Sequence, residues 1–375
     1  MLSYASVTFD QQEINNVMDV FNRNWFSSGY YTQRFERELA DWWGMNYAIA
    51  VNSGSSANFI AVQALGLEKG SRVITTPGGA FPTTISPLLY HNLRPVFVDV
   101  KLKTLCINEE MVEKEVRNSR AIMFAHTLGR TPNMDKLFKI KNRYGLKMIE
   151  DCCDGVGTTY DNRKVGTYGD LATVSFYPAH HMTTGGEGGA ILTNSKSLYR
   201  KCISIRDWGR DCRCEYNQIG TKCENRYFKG FDHRYYYTNL GLNFKMSEFQ
   251  AAFGLAQIYK LDKFIQKRKE NYKRLCEGLG IEVDPEISPF ALPLYYQNKE
   301  KASKLLEEKN IQVRSLFSGN ILKHPAYWHL NKGGKYPNSD LIHKHFIFIG
   351  VHPQLTDLNI EYMIESIKAI NEHLD

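Results

Sequence analysis

Over its first two-thirds the chain alternates short apolar runs with longer amphipathic stretches, and this alternation constrains the fold more than any other feature. The apolar runs are Tyr47–Val51, Val73–Thr76, Pro95–Val100, Ala121–Ala125, Met148–Asp151, Ala172–Tyr177 and Ala190–Thr193. Most are β-branched or apolar throughout, as strands covered on both faces are. Between them lie stretches with helical spacing, such as Ala57–Leu65, Met134–Arg143 and Ser197–Ile205. Strand, helix, strand in succession predicts an α/β fold on a mainly parallel sheet, and the seven runs predict seven strands.

With 375 residues, 43% of them hydrophobic, the chain is long enough for two domains. A helical pattern runs from Met246 towards Leu279. After it come strand candidates Leu292–Tyr296 and Phe346–Gly350 and helix candidates Ala302–Lys309 and Asn359–His373. The expectation is a large α/β domain over 1–245, then a long linking helix and a small C-terminal domain over 246–375. The stretch Gly209–Asn239 differs: it is polar, aromatic, cysteine-bearing and weakly periodic. Its length suits a ligand-ordered loop better than a plain connector. No apolar run of about 18 residues occurs, so no membrane span is expected. The first residues lack the basic-then-apolar design of a signal peptide, and a cytoplasmic protein is expected. The net charge of +7 is spread along the chain, which argues against nucleic acid as a partner.

Chemistry gathers at the predicted strand ends. After the first strand, Asn52-Ser53-Gly54-Ser55-Ser56 leads into a helix. A small-residue turn there offers free amides and the positive end of the helix dipole to a phosphate; a plain glycine turn with a serine cap reads equally well. Phe81, in Pro77-Gly-Gly-Ala-Phe-Pro-Thr, is placed to cover a planar ligand. Asp151 and Asp154 close the fifth strand, where an open α/β sheet holds its ligands. An aspartate there can keep a ring nitrogen protonated, or can be a helix cap. The sixth strand delivers Ser175 and the pair His180–His181 to the same edge. A phosphate cradle, a ring-covering aromatic, an acid for a ring nitrogen and a base at a strand end are the parts of a pyridoxal-phosphate site.

The order Ser-Gly-Ser-Ser, Phe-Pro-Thr-Thr, Glu-Asp-x-x-Asp and Ser-Phe-Tyr-x-x-His resembles the DegT/DnrJ/EryC/StrS sugar aminotransferase and dehydratase family of pyridoxal-phosphate fold type I. The likeness extends through Arg206-Asp-Trp-Gly-Arg-Asp-Cys212, Leu240-Gly-Leu-Asn243 and Leu316-Phe-Ser-Gly-Asn320. In most of that family the residue five after the Ser-Phe serine is the Schiff-base lysine; here it is His180. That swap resembles the branch that dehydrates nucleotide 4-keto-6-deoxyhexoses at the sugar 3-position with pyridoxamine phosphate (PMP), on the way to 3,6-dideoxysugars of lipopolysaccharide O-antigen. CDP is the nucleotide the resemblance favours. The turn after the histidines is one residue longer than in relatives. Counting forward from Ser175 selects His180, and counting back from Glu187 selects His181. The strand side decides for His180, because a turn absorbs an extra residue more easily than a strand. Imidazole cannot hold the cofactor covalently as a lysine does, but with a pKa of about 6.5 it is a competent base at neutral pH.

The resemblance also assigns softer roles. Asp154 lies near the cofactor's ring hydroxyl, Asn243 reaches a phosphate across a homodimer interface, and Arg314 and Asn320 face the sugar nucleotide. Of eight cysteines, three crowd together at Cys212, Cys214 and Cys223. In the reductive dehydratases of the family, such a trio and one distant cysteine, matched here by Cys153, hold a [2Fe–2S] cluster. Four thiolates meet the cluster's requirement, and structural zinc takes the same set. A cluster implies a flavin-containing iron–sulfur reductase as partner. Three other readings stay open: a cluster-free, colitose-type 3-dehydratase using glutamate, a sugar-nucleotide aminotransferase, and a silent sugar-nucleotide binder with zinc. The aminotransferase needs a strand-end lysine, and Lys164 comes too early.

Overall fold

The computed structural model describes residues 1–212 and 226–374. The cysteine-bearing loop therefore falls partly outside the described residues, and Cys214 and Cys223 lie there. The strands of the main sheet are β1 (Tyr47–Val51), β2 (Arg72–Thr75), β3 (Arg94–Phe97), β4 (Ser119–Ala125), β5 (Lys147–Asp151), β6 (Leu171–Ser175) and β7 (Gly189–Thr193). They form one seven-stranded sheet in the order β1-β7-β6-β5-β4-β2-β3. Pairing is parallel from β6 across to β3, whereas β7 runs antiparallel to both β1 and β6. The turn that carries His180 and His181 is thus the connection between two antiparallel neighbours. The strands are buried in their interiors, as expected for a sheet covered on both faces, except for the edge strand β3, which is half-exposed.

Among the described residues, twelve helices accompany this sheet and a smaller one: α1 (Gln11–Arg23), α2 (Tyr30–Trp43), α3 (Gly54–Leu65), α4 (Pro82–Tyr90), α5 (Glu109–Glu115), α6 (Met134–Tyr144), α7 (Lys196–Arg206), α8 (Glu248–Ile258), α9 (Leu261–Leu279), α10 (Lys299–Glu308), α11 (Pro337–His345) and α12 (Asp357–Leu374). Local chemistry sets their starts. Asp10 with Glu13, and Ser247 with Gln250, form capping boxes for α1 and α8, and Ser53 caps α3. Pro82 opens α4 at a position where its missing N–H costs nothing. The smaller sheet, β8 (Ala291–Tyr295), β10 (Phe346–Gly350) and β9 (Val313–Ser315), is antiparallel with β10 in the centre. It shares its own apolar cluster with α9, α10 and α12.

Two elements differ from the sequence pattern. The long helical pattern after Met246 is two helices, broken at Tyr259–Lys260. Lys260 Nζ reaches both carboxylate oxygens of the buried Glu13, at 2.9 and 2.7 Å, and also pairs with Asp10. The break lets α8 pack on α1 and α2 while α9 turns towards the small sheet. The third strand ends at Phe97 rather than Val100, because buried Asp99 leaves the sheet to accept from the Asn338 and Ser339 amides at the start of α11. No helix among the described residues is long and apolar enough to cross a membrane.

Candidate active site

The ends of β1, β5 and β6 converge. Gly54, at the start of α3, packs so closely that a Cβ there would lie 2.6 Å from Ser175 Cβ and 3.2 Å from Cys153 Sγ. Gly189 of β7 makes the same approach from below, since its Cβ would meet the Ser53 carbonyl and the Gly54 amide nitrogen at 2.5 and 2.6 Å. Only glycines let the backbone of this turn settle into the sheet edge. Ser53 Oγ accepts the Ser56 amide at 3.1 Å, while Ser55 is exposed at the helix N-terminus. Ser53 is therefore the cap. Gly54, Ser55 and Ser56 thus make the amide-bearing start of α3, a cradle with Ser175 packed against Gly54.

Asp151 is buried and oriented by groups that sequence patterns did not single out. Its Oδ2 accepts from Asn58 Nδ2 at 2.9 Å and from Thr84 Oγ1 at 2.7 Å, and its Oδ1 accepts from the Cys153 amide. Thr173 in turn donates to Asn58 Oδ1. Asn58 lies near the start of α3 and Thr84 on the first turn of α4, so the helix that carries the cradle also helps to aim the acid. Phe81 caps α4 and stands exposed beside Phe317, with ring centroids 6.2 Å apart.

The two histidines have opposite surroundings. His181 is 2% exposed and its Nε2 lies 3.1 Å from the Ser288 carbonyl, which can only accept; Nε2 therefore carries the proton. His180 turns the other way. Its Nδ1 is 3.6 Å from Asp154 Oδ1, and its ring packs on Phe290 with centroids 5.2 Å apart. Arg268, 2% exposed, donates to the carbonyls of His180 (2.9 Å), Ala179 (3.3 Å) and Phe290 (3.1 Å). Burial, then the Arg268 charge, pushes the His180 pKa down to about 3 and holds His181 well below the ordinary value as well. Burial and the neighbouring Asp151 carboxylate push Asp154 up to about 8. Both imidazoles are thus held neutral.

The remaining sequence candidates are dispersed. Asn243 is exposed and bridges backbone to backbone with Asp207; its side chain accepts the Lys245 amide. Arg314 on β9 is exposed and lies over the Tyr4 ring at 4.4 Å. Asn320 is buried, with its amide spent on Asp340 and its oxygen on the Leu322 amide. Cys153 is brought to the cradle, and Cys212 lies at the end of the described part of the loop. Cys152 is fully buried in the core. His126, Glu150 and Cys152 also come together, but Glu150 already accepts from His126 and from the amides of Gly166, Tyr168 and Gly169, which accounts for them as a structural knot.

A mainly parallel seven-stranded sheet with one antiparallel strand, a helix-start cradle and a strand-end acid defines a pyridoxal-phosphate-dependent transferase fold of type I. The chain belongs to the DegT/DnrJ/EryC1/StrS aminotransferase family, whose sequence profile matches residues 7–368. It is 40% identical over 373 residues to the dTDP-4-dehydro-2,6-dideoxy-D-glucose 3-dehydratase of Saccharopolyspora spinosa, covering 91% of this chain and 80% of that one. It is 37% identical over 390 residues to the lipopolysaccharide biosynthesis protein RfbH of Salmonella typhimurium, covering 95% and 89%. Among solved structures, Escherichia coli GDP-4-keto-6-deoxy-D-mannose-3-dehydratase with bound hydrated PLP superposes with a TM-score of 0.90 at 27% identity, covering 98% and 99%. GDP-perosamine synthases are also among the relatives.

Proposed function

We propose that this protein is a PMP-dependent nucleotide-4-keto-6-deoxyhexose 3-dehydratase, with His180 as its base. The observation that carries the reading is the asymmetry of the histidine pair: His181 is tied into the core, while His180 is presented, neutral, beside Asp154 at the end of β6. The unprotonated imidazole has the lone pair a base needs, although burial weakens it as a base, and it cannot anchor the cofactor covalently as a lysine does. The cradle and the oriented Asp151 fit the cofactor. The amides and hydroxyls of Ser55, Ser56 and Ser175 would hold its phosphate, Asp151 its ring nitrogen, Asp154 its ring hydroxyl, and Phe81 would cover the ring. When bound, PMP supplies an amine for the substrate ketone and an electron sink. The protein's part is to aim these groups and to accept a proton at the unprotonated nitrogen of His180. Arg268 and Phe290 keep that ring neutral and fixed. Exposed Asn243 would serve the phosphate of a second copy in a homodimer. Arg314 and the Leu316–Asn320 stretch would meet the sugar nucleotide.

Cys153, Cys212, Cys214 and Cys223 would hold a [2Fe–2S] cluster fed by a flavin-containing iron–sulfur reductase. The placement of Cys153 beside Gly54 and Ser175 supports this. Against an aminotransferase, Lys164 donates to the Trp42 carbonyl and sits 3.6 Å over its ring, and it precedes β6 rather than following it. Two measurements test the reading: borohydride reduction followed by mass spectrometry, and iron and sulfide assays after anaerobic purification. Reconstituted protein should show no cofactor fixed to lysine, and with a reductase it should form 3-deoxy product from CDP, dTDP or GDP 4-keto-6-deoxyhexose. A lysine adduct would overturn the role of His180. Colourless, iron-free protein that makes 3-deoxy sugar with glutamate alone would establish the colitose-type reaction instead.

A further inference from the structure

Against the His180–His181 turn lies a small cavity of about 10 Å³. Its walls come from four separate places: the N-terminal Ser6–Thr8 segment, the turn itself, α9 through Phe264 and Arg268, and Pro353. Five of its lining residues carry buried polar atoms with no hydrogen-bond partner among the described residues: His180 Nδ1, which faces Asp154 Oδ1 at 3.6 Å, and Thr8 Oγ1, His181 Nδ1, Thr183 Oγ1 and Arg268 Nε. Native interiors rarely leave one such group unsatisfied, and here the last four belong to residues lining one space. The space is close to the minimum that holds a single water and too small for a larger guest.

The hydrogen inventory of these atoms is decisive. His181 donates through Nε2 to the Ser288 carbonyl, so its Nδ1 is a bare acceptor. Arg268 uses both terminal nitrogens on carbonyls, which leaves its Nε–H as an unused donor. No carboxylate pairs with Arg268 among the described residues, and it is 2% exposed. One threonine hydroxyl can accept while the other donates. That set of two donors and two acceptors is complementary to one water molecule. It is not complementary to a cation, which Arg268 repels, nor to an anion, which the His181 lone pair repels.

We propose that this cavity is a built site for one water molecule, which accepts from Arg268 Nε and one threonine hydroxyl and donates to His181 Nδ1 and the other hydroxyl. The water ties the N-terminal segment and α9 to the turn. Arg268 already holds the same turn through the His180 carbonyl. Thr8, His181, Thr183 and Arg268 are therefore positioning residues, which fix where the His180 ring stands. This last step rests on His180 being the base; the water site itself does not.

The experiment uses the full-length protein and reads the site without substrate. A high-resolution crystal structure should show one water on these four atoms. In ¹⁵N spectra of histidine-labelled protein, His181 should be a neutral Nε2–H tautomer whose Nδ1 is shifted as a hydrogen-bonded acceptor. Thr8→Val together with Thr183→Val removes the hydroxyls at nearly constant volume. This double variant should lose the water and move Nδ1 to the position of a free acceptor. Thr183→Ser, which keeps the hydroxyl, should retain both. A dry wild-type cavity, a protonated Nδ1, or an anomalous halide signal there after a bromide soak would overturn the site. In turnover, the double valine variant should lower kcat about tenfold with KM unchanged, the cost of a displaced catalytic group. Unchanged kcat with the water gone would overturn the positioning role. Wild-type protein with the water in place but no dehydration would count against the proposed function alone.

Discussion

Replacing each histidine of the pair by leucine separates structure from chemistry. At His181 the ring is fully enclosed and its Nε2–H satisfies the buried Ser288 carbonyl. Leucine approximates the volume but donates nothing, so a buried acceptor is orphaned at a cost of about 1–3 kcal/mol. At His180 the ring makes no hydrogen bond to the described residues; Asp154 lies at 3.6 Å, beyond bonding distance. Leucine there exchanges one packed side chain for another against Phe290, at a cost below about 1.5 kcal/mol. The kinetic ranking runs the other way. Removing a general base costs about 10²–10⁴ in rate, whereas loss of His181 should cost about tenfold at most. Urea denaturation of the two variants and of wild type, followed by circular dichroism, gives the first ranking. Rates of 3-deoxy product formation with PMP and an electron source give the second. Should His181→Leu be stable and inactive while His180→Leu is unstable and active, the base is His181 and the extra residue of the turn has shifted the register.

Further outcomes follow from the same geometry. Burial depresses both His181 and His352, the latter to about 4 against an ordinary 6.5. Such groups bind fewer protons when folded, so their contribution is complete above about pH 6.5 and is lost as pH falls towards the folded values. Denaturation midpoints should therefore drop on acidification, by about 1.4 kcal/mol per pH unit per group, and His352→Gln should flatten the slope. Gly54→Ala would force a methyl group within 2.6 Å of Ser175 Cβ, an overpacking worth about 1–3 kcal/mol. It should weaken PMP binding, read by absorbance titration, more than it weakens the fold. Serine at Cys153, Cys212, Cys214 or Cys223 should each bleach the visible absorption of anaerobically purified protein. Cys152→Ser should not, because Cys152 points into the core; bleaching there but not in Cys153→Ser would put Cys152 in place of Cys153 in the ligand set.

Much of the fold could be read locally. The runs at Tyr47–Val51 and Phe346–Gly350 are strands with the expected bounds, and the others shift by one to three residues. A strand covered on both faces must be apolar throughout, and that requirement is written in consecutive residues. The strand-end residues Gly54, Asp151, Ser175 and His180 were legible for a related reason: a parallel sheet delivers its strand ends to one edge, whatever the details of packing. What consecutive residues do not carry is who meets whom. The break at Tyr259–Lys260 follows from an ion pair with Glu13, some 247 positions away. Asn58 and Thr84 aim Asp151 from helices 93 and 67 positions earlier. Two adjacent histidines are chemically identical in the sequence. Only the arrival of Ser288 at one ring and of Asp154 and Phe290 at the other makes them different, because a side chain's charge and freedom are set by neighbours that long-range packing supplies.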